Sequence, residues 1–351
     1  MKTTPVSERS SLKEAWNEFR LQNPKVRIRD AAKQLNSTEA ELLATGIGES
    51  VVRLEGDFRD VIQDVAQLGH VMALTRNDHV VHERKGTYEK ISFRNQVGLV
   101  LGEDIDLRLF MTHWHFGFAV NENERQSLQF FDQNGEAVHK IYLTEQSDRA
   151  AYQALVAKYE AADQEAAVVT QPLQETEEAY TAKDEAELAA FQQEWLGLQD
   201  THDFFGLIRK YGLPRQEALR HAPEGYAYRF DPASIRQVFQ DAADTSLPIM
   251  VFVGSRGCIQ IHTGPVKKLV VTGPWFNVLD PEFNLHLRED AIHEAWVVIK
   301  PTVDGVVTAL ELFDAQGEII VQVFGKRKPG SPELEAWRSI VQNAASPLQI
   351  S

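Results

Sequence analysis

The chain of 351 residues holds one cysteine, Cys258. A single thiol excludes an intramolecular disulfide and suits a reducing compartment. Its nearest basic neighbour is Arg256, so Cys258 reads as a small strand residue rather than a reactive thiolate. Basic charge is also short: 36 Lys and Arg stand against 51 Asp and Glu, a formal net of −15. That balance argues against general nucleic-acid binding and against adhesion to anionic membranes. An anionic ligand would need a local basic pocket opposing the overall field. No apolar run reaches the roughly 18 residues that span a bilayer. The opening MKTTPVSERSSLKEAW has no apolar segment of the kind a signal peptide carries. The expectation is a cytoplasmic globular protein. Also missing are a glycine-rich phosphate loop after a strand, a G-x-S-x-G elbow and a Cys/His pair at motif spacing. Hydrolase and nucleotide chemistry therefore find no support.

What the chain does have is a second copy of itself. VMALTRNDHVVHERKGTYEKI from Val71 aligns with IMVFVGSRGCIQIHTGPVKKL from Ile249, an offset of 178 that brings Gly86 onto Gly264 and Lys90 onto Lys268. The same offset lays DLRLFMTHWHFGFAV (from Asp106) on NLHLREDAIHEAWVV (from Asn284). FFDQNGEAVHKIYL (from Phe130) then meets LFDAQGEIIVQVFG (from Leu312) at an offset of 182, so a loop four residues longer is expected near KPTVDG. The helical openings match loosely: RIRDAAKQLNSTEAELL lies over DFFGLIRKYGLPRQEAL, at an offset of 176.

Each copy begins with helices and continues in short β-branched and aromatic segments separated by NG, DG and QG turns. Strand–helix–strand alternation is absent. The pattern predicts an α+β fold, an internal duplication with two large antiparallel β-sheets and flanking helices. The predicted domains are residues 1–159, the first repeat; 160–190, an acidic solvated linker that turns helical towards Phe191 and Trp195; and 191–351, the second repeat.

Several motifs have a plain reading. RIRDAAKQLNSTEAELLATG looks like a helix-turn-helix, but the acidic balance and its recurrence in the second copy favour scaffold. THWHF places His113 and His115 two apart, able to share a strand face and a metal, yet no third ligand follows. Sheet-face histidines are the better reading. His79 and His82, with His262 opposite them in the alignment, are assigned to hairpin surface or edge. In DTHDFFGLIRKYG, Asp200 or Thr201 is the expected N-cap, Phe204, Phe205, Leu207 and Ile208 the packing residues, and Gly212 the stop.

The copies differ in places that carry chemistry. His202 corresponds to Val26, Arg108 to His286, and Phe110 to Arg288. A third cluster is basic: Arg215, Lys300 and Arg327. A histidine, a phenylalanine and arginines in an acidic protein suit a large flat apolar molecule that carries carboxylates and a metal.

MALTRNDHVVHERKG, DIDLRLF, DTHDFF, PIMVFVG, CIQIHTGPV, WFNVLDPEFNLHL and IVQVFGKRKPG together resemble the HemS/ChuS/PhuS/HmuS family, the cytoplasmic haem-binding hemin-degrading factors of Gram-negative bacteria. The resemblance runs over nearly the whole chain. It implies haem b (hemin) as ligand or substrate, His202 as axial ligand to the haem iron, and Arg108 as a catalytic residue on the distal side with Phe110 packed nearby. It implies Arg215, Lys300, Arg327 and Gln322 near the haem edge, where arginine forks suit propionates. Two departures stand out. Val321 replaces a tyrosine found in some members, and Asp203 replaces a second histidine, which argues against transfer between adjacent histidines. The implied function is haem degradation in a heme-oxygenase-like reaction that needs O2 and an external reductant. The alternative is a carrier that takes haem from an inner-membrane ABC importer to a separate heme oxygenase. Partners would be haem, that importer, and an oxygenase or reductase; the chain would be a monomer or dimer.

Overall fold

The computed structural model describes residues 6–122, 124–172, 180–328 and 330–348, with side chains from residue 11 onward. In chain order the first elements are α1 (Val6–Gln22), α2 (Ile28–Gln34), α3 (Glu39–Ala44), β1 (Val51–Leu54), α4 (Phe58–Val65), β2 (Gly69–Arg76), β3 (Val80–Gly86), β4 (Ser92–Arg94), β5 (Val97–Leu101) and β6 (Asp106–Phe110). Then come β7 (Phe116–Glu122), β8 (Arg125–Phe131), β9 (Ala137–Ser147), α5 (Arg149–Tyr159), α6 (Glu185–Leu196), α7 (Asp203–Lys210), α8 (Arg215–Arg220), β10 (Ala227–Phe230) and α9 (Ile235–Asp244). The chain closes with β11 (Ile249–Gly254), β12 (Cys258–Gly264), β13 (Leu269–Thr272), β14 (Trp275–Leu279), β15 (Phe283–Arg288), β16 (Glu294–Thr302), β17 (Gly305–Phe313), β18 (Ile319–Gly325) and α10 (Glu335–Ala344). The strands form two nine-stranded sheets. The predicted α+β class is the one observed.

Two compact units emerge. The first comprises residues 1–76, 83–175 and 254–260, and the second 77–82, 176–253 and 261–351. Within the first unit the strand order is β1-β7-β8-β9-β2, and β4-β5-β6 form a separate meander. Within the second the order is β10-β16-β17-β18-β11, with the meander β13-β14-β15. Registers repeat with the sequence offsets. Val97 pairs with Phe110 in β5–β6, and Trp275 with Arg288 in β14–β15. The β8–β9 ladder slips between Phe130 and Phe131, and the β17–β18 ladder between Leu312 and Phe313. The tight turns that follow place Gly135 at φ 81° and Gly317 at φ 84°, backbone that L side chains rarely adopt. The duplication is therefore structural down to its bulges.

The expected longer loop is instead a longer hairpin. In the first copy Glu122 pairs with Arg125 at the tip. In the second, Lys300 pairs with Val307, and the ladder runs on through Pro301–Val306 and Thr302–Gly305. The extra residues add two rungs and leave a two-residue turn, because alternating ladder bonds satisfy more backbone groups than an open loop would.

Strand alternation buries both faces of the second unit's five-stranded sheet. Val297, Leu310 and Val323 pack with Phe239 of α9 and Trp337 of α10. Trp296, Val298, Ala309 and Phe313 pack with Phe191 and Trp195 of α6 and Phe204 of α7. The predicted turn to helix near Phe191 is observed, with Asp184 and Glu187 forming a capping box. Residues 160–172 are less solvated than expected. Arg53 donates to the Ala166 carbonyl at 2.7 Å, and Asn134 to that of Gln171 at 2.7 Å. The remainder of the predicted linker includes residues 173–179, which lie outside the described residues. The helix-turn-helix look-alike is scaffold: Ala31, Ala40, Leu42 and Leu43 of α2 and α3 are buried.

Candidate functional site

Helix α7 starts later than the sequence suggests. His202 itself occupies the N-cap position, and its side chain makes no capping bond. Asp200 acts two residues earlier: its Oδ1 accepts the His202 backbone N–H at 2.9 Å and faces His202 Nδ1 at 2.6 Å. Hydrogen bonding by the His202 backbone holds the Asp200 carboxyl below its ordinary range, although partial burial opposes this; the charges of His202 and Arg327 act in the same direction. A carboxylate can only accept, so Nδ1 is the ring nitrogen that donates to Asp200, leaving Nε2 outside that bond. The imidazole is 88% exposed. Phe204, Leu207 and Ile208 are buried as expected, whereas Phe205 is 64% exposed. Residues i and i+3 share a helix face, so an open imidazole and an open phenyl ring stand together. Gly212, at φ 58°, ends the helix. The longer hairpin reaches this loop: the Val303 N–H donates to the Gln199 carbonyl at 3.0 Å.

Behind α7 lies a cluster of four residues, one from α8 and three from different strands. Glu311 is fully buried. It accepts from Arg215 Nε and Nη2, each at 2.7 Å, from Lys300 Nζ at 3.1 Å and from Gln322 Nε2 at 3.0 Å. The Phe204 ring lies against both cations, 5.3 Å from the Arg215 guanidinium and 4.6 Å from Lys300 Nζ. Burial pushes the Lys300 ammonium down to about 8, with Glu311 opposing and Arg215 adding to the fall. Burial would raise the Glu311 carboxyl, but Arg215 and Lys300 hold it well below the usual carboxylate range. Two cations against one carboxylate leave this network one positive charge in excess.

The sequence candidates thus divide. Arg215, Lys300 and Gln322 meet at Glu311. Arg327 is half-buried close enough for its charge to act on Asp200 and Glu333. Arg108 and Phe110 belong to β6 of the first unit, where Arg108 is ion-paired with Asp106 and donates to the Leu107 carbonyl at 3.2 Å. Two contributors escaped sequence reasoning. Glu311 is the lone acid in the apolar stretch VVTALELF, and Asp200 precedes the histidine by two. An acid at a buried strand position was the available signal for the first.

Other histidines depart from their expected places. His113 and His115 are exposed, in a short 3-10 turn and the residue before β7, so they do not line a sheet. His82 and His262 are core rather than hairpin surface, because their strand positions face inward. His262 stacks on Phe283 with ring centroids 3.7 Å apart. Cys258 is buried as expected, its thiol pushed up to about 12 by burial.

The first unit also has a buried ion network at the matching positions, but its carboxylate sits on the helix and a cation on the strand. By the offsets of 176 and 182, Glu39 stands for Arg215, Gln129 for Glu311, and Lys140 for Gln322. Lys140 Nζ donates to Glu39 at 2.5 Å, and Arg76 also pairs with Glu39. A buried carboxylate on the helix replaces the arginine that could face an anion.

Among the described residues no three His, Cys, Asp or Glu side chains converge on a possible metal position. His202 is suited instead to a metal already held by another ligand, adding one nitrogen to it. The open phenyl ring beside it and the cationic excess behind it suit a flat apolar molecule with carboxylates.

The comparisons agree with this chemistry. The profile of the family described as "Haemin-degrading HemS.ChuX domain" matches residues 36–159 and again 212–344, once in each repeat. Hemin transport protein HmuS of Yersinia pestis is 38% identical over 334 residues, covering 94% of this chain and 96% of HmuS. Holo-PhuS, a heme-binding protein from Pseudomonas aeruginosa, superposes with a TM-score of 0.91 at 45% identity, covering 97% of this chain and 99% of PhuS. ChuS, described as an E. coli heme oxygenase, gives a TM-score of 0.84 at 36% identity over 95% of this chain and 99% of ChuS.

Proposed function

This chain belongs to the haemin-degrading HemS/ChuX family, and from that premise we propose that it binds haem through His202 and degrades it with release of iron. Haem binding in haemin utilisation is the part its relatives share. The observation that carries the proposal is the exposed imidazole of His202, held at Nδ1 by Asp200 with Nε2 outside that bond, beside an exposed phenylalanine. Haem is the substrate and supplies the redox chemistry of its iron, with O2 and an external reductant as co-reactants. His202 binds and orients it. Phe205 covers porphyrin surface, where each Å² of apolar area removed from water contributes roughly 25 cal/mol. Arg215 and Arg327 are the propionate partners, and Lys300 and Gln322 hold Glu311, which fixes the Arg215 fork. Arg108, whose guanidinium is held by Asp106, and Phe110 are the first unit's candidates for a part in the breakdown.

A second reading, a carrier that passes haem intact from an importer to an oxygenase, is favoured by how open His202 is. Turnover with ascorbate or a reductase in air, with catalase present, separates the two. Loss of the Soret band with a tetrapyrrole product supports degradation. Intact haem that moves to an added oxygenase supports the carrier. Arg108→Ala is expected to retain haem and slow the breakdown. Equal turnover would remove Arg108 from the chemistry.

Hemin affinity should fall with rising pH because of Lys300. In the free protein its ammonium loses its proton at about 8. A propionate added to the site favours the charged form, so the complex holds that proton to higher pH than the free protein. Between those two values the complex binds more protons, and affinity drops by up to about tenfold per pH unit. Below about pH 7 it should be flat. Hemin titrations of wild type and Lys300→Met check this, and a fall that persists unchanged in the variant rules out Lys300 as its source.

A further inference from the structure

We infer that Asp200 is the positioning residue of the haem ligand, fixing the ring of His202 and strengthening Nε2 as a donor to iron. The inference rests on the haem reading above. One carboxylate oxygen, Oδ1, holds His202 twice, at the backbone N–H (2.9 Å) and at ring Nδ1 (2.6 Å). The backbone bond sets where the helix begins, and the ring bond sets which way the imidazole turns. Both bonds end on the same atom, so the backbone and the ring of His202 share one acceptor. That matters because the ring is 88% exposed and has little else to hold it. The loop has a further anchor in the Val303 N–H bond to the Gln199 carbonyl, next to Asp200.

The pair also occurs as a pair or not at all. At the matching places in the first copy stand Pro24 and Val26, so carboxylate and imidazole are both absent there. A helix-start aspartate needed only for folding has no reason to follow the histidine. An imidazole that donates Nδ1–H to a carboxylate gains negative character at Nε2, which favours ferric over ferrous iron. Asp200 thereby sets a restraint on how easily an external reductant can start the reaction.

Two substitutions test this in the hemin-loaded full chain. Asp200→Asn keeps an oxygen for both N–H groups but removes the charge; Asp200→Ala removes the acceptor. The iron–histidine stretch of the ferrous protein, read by resonance Raman, is expected to move to lower frequency in Asp200→Asn and further in Asp200→Ala. The ferric/ferrous midpoint is expected to move positive in the same order. Hemin affinity should weaken about ten- to a hundredfold in Asp200→Ala. Thermal unfolding of the Asn variant should match wild type, which separates a tuned ligand from a damaged loop. Wild-type frequency and midpoint in both variants would overturn the inference while leaving the haem reading intact. Absence of an iron–histidine stretch in the wild-type ferrous protein would overturn both.

Discussion

Glu311→Leu is expected to destabilise the second unit by about 3–5 kcal/mol, the range for removing one partner of a buried ion pair. Glu311 is fully buried, and both of its oxygens are engaged by Arg215, Lys300 and Gln322. Leucine fills similar space but strands two cations. Lys300 can shed its proton, since burial already brings it down to about 8. Arg215 cannot, because a guanidinium stays charged at any working pH. The loss is large against the 5–15 kcal/mol that keeps an ordinary domain folded. Urea unfolding of the two chains measures it, provided the slope of the transition is unchanged. The triple variant Glu311→Leu, Arg215→Leu, Lys300→Met tells charge from shape. Removing every charge together should recover most of the stability, since buried ion networks and apolar replacements are often close in energy. If the triple variant is as unstable as Glu311→Leu, the cost comes from packing and the electrostatic account fails.

That cluster also marks where the sequence stops being readable. Strands and turns were legible because their signals are local: β-branched and aromatic runs, then NG, DG or QG. The duplication was legible because two copies of one plan leave matching residues at constant offsets. Even the paired bulges at Phe130/Phe131 and Leu312/Phe313 follow from it. Residues 300, 311 and 322 stand eleven apart, but on three different strands, so a helical reading of that interval would mislead, and residue 215 shares no spacing with them. They meet only because β16, β17 and β18 lie side by side, with Glu311 directly opposite Gln322. The basic members of the cluster stood out as cations in an acidic chain, and the resemblance added Gln322 and a place near a ligand, which directs attention away from the acid that organises them. The hairpin shows a subtler limit. An offset change from 178 to 182 fixes the number of added residues but not whether they loop or pair. Nor does a helical pattern reveal which phenylalanine is left open, and α7 buries Phe204 while exposing Phe205.

His202→Ala should abolish axial ligation while leaving the fold untouched, and this pairing of outcomes makes it the most informative substitution in the chain. The imidazole is 88% exposed and provides no helix cap, so its removal takes nothing from the core. Surface changes of this kind fall within about 0.5 kcal/mol in stability. Haem binding is another matter. Losing even the partner of a ligating histidine costs about ten- to a hundredfold in affinity, so losing the ligand itself should exceed that range. Apolar contact and propionate pairing remain, so hemin will still associate at high concentration, but with a shifted Soret band. Titration of apo-protein is expected to saturate at one equivalent with a sharp band for wild type and to give a weak, displaced band for the variant. Added free imidazole should enter the space left by the ring and restore the wild-type spectrum. Rescue of that kind cannot come from a repaired fold, so it assigns the lost band to a missing nitrogen. A variant that binds hemin with unchanged affinity and spectrum would show that some other side chain holds the iron.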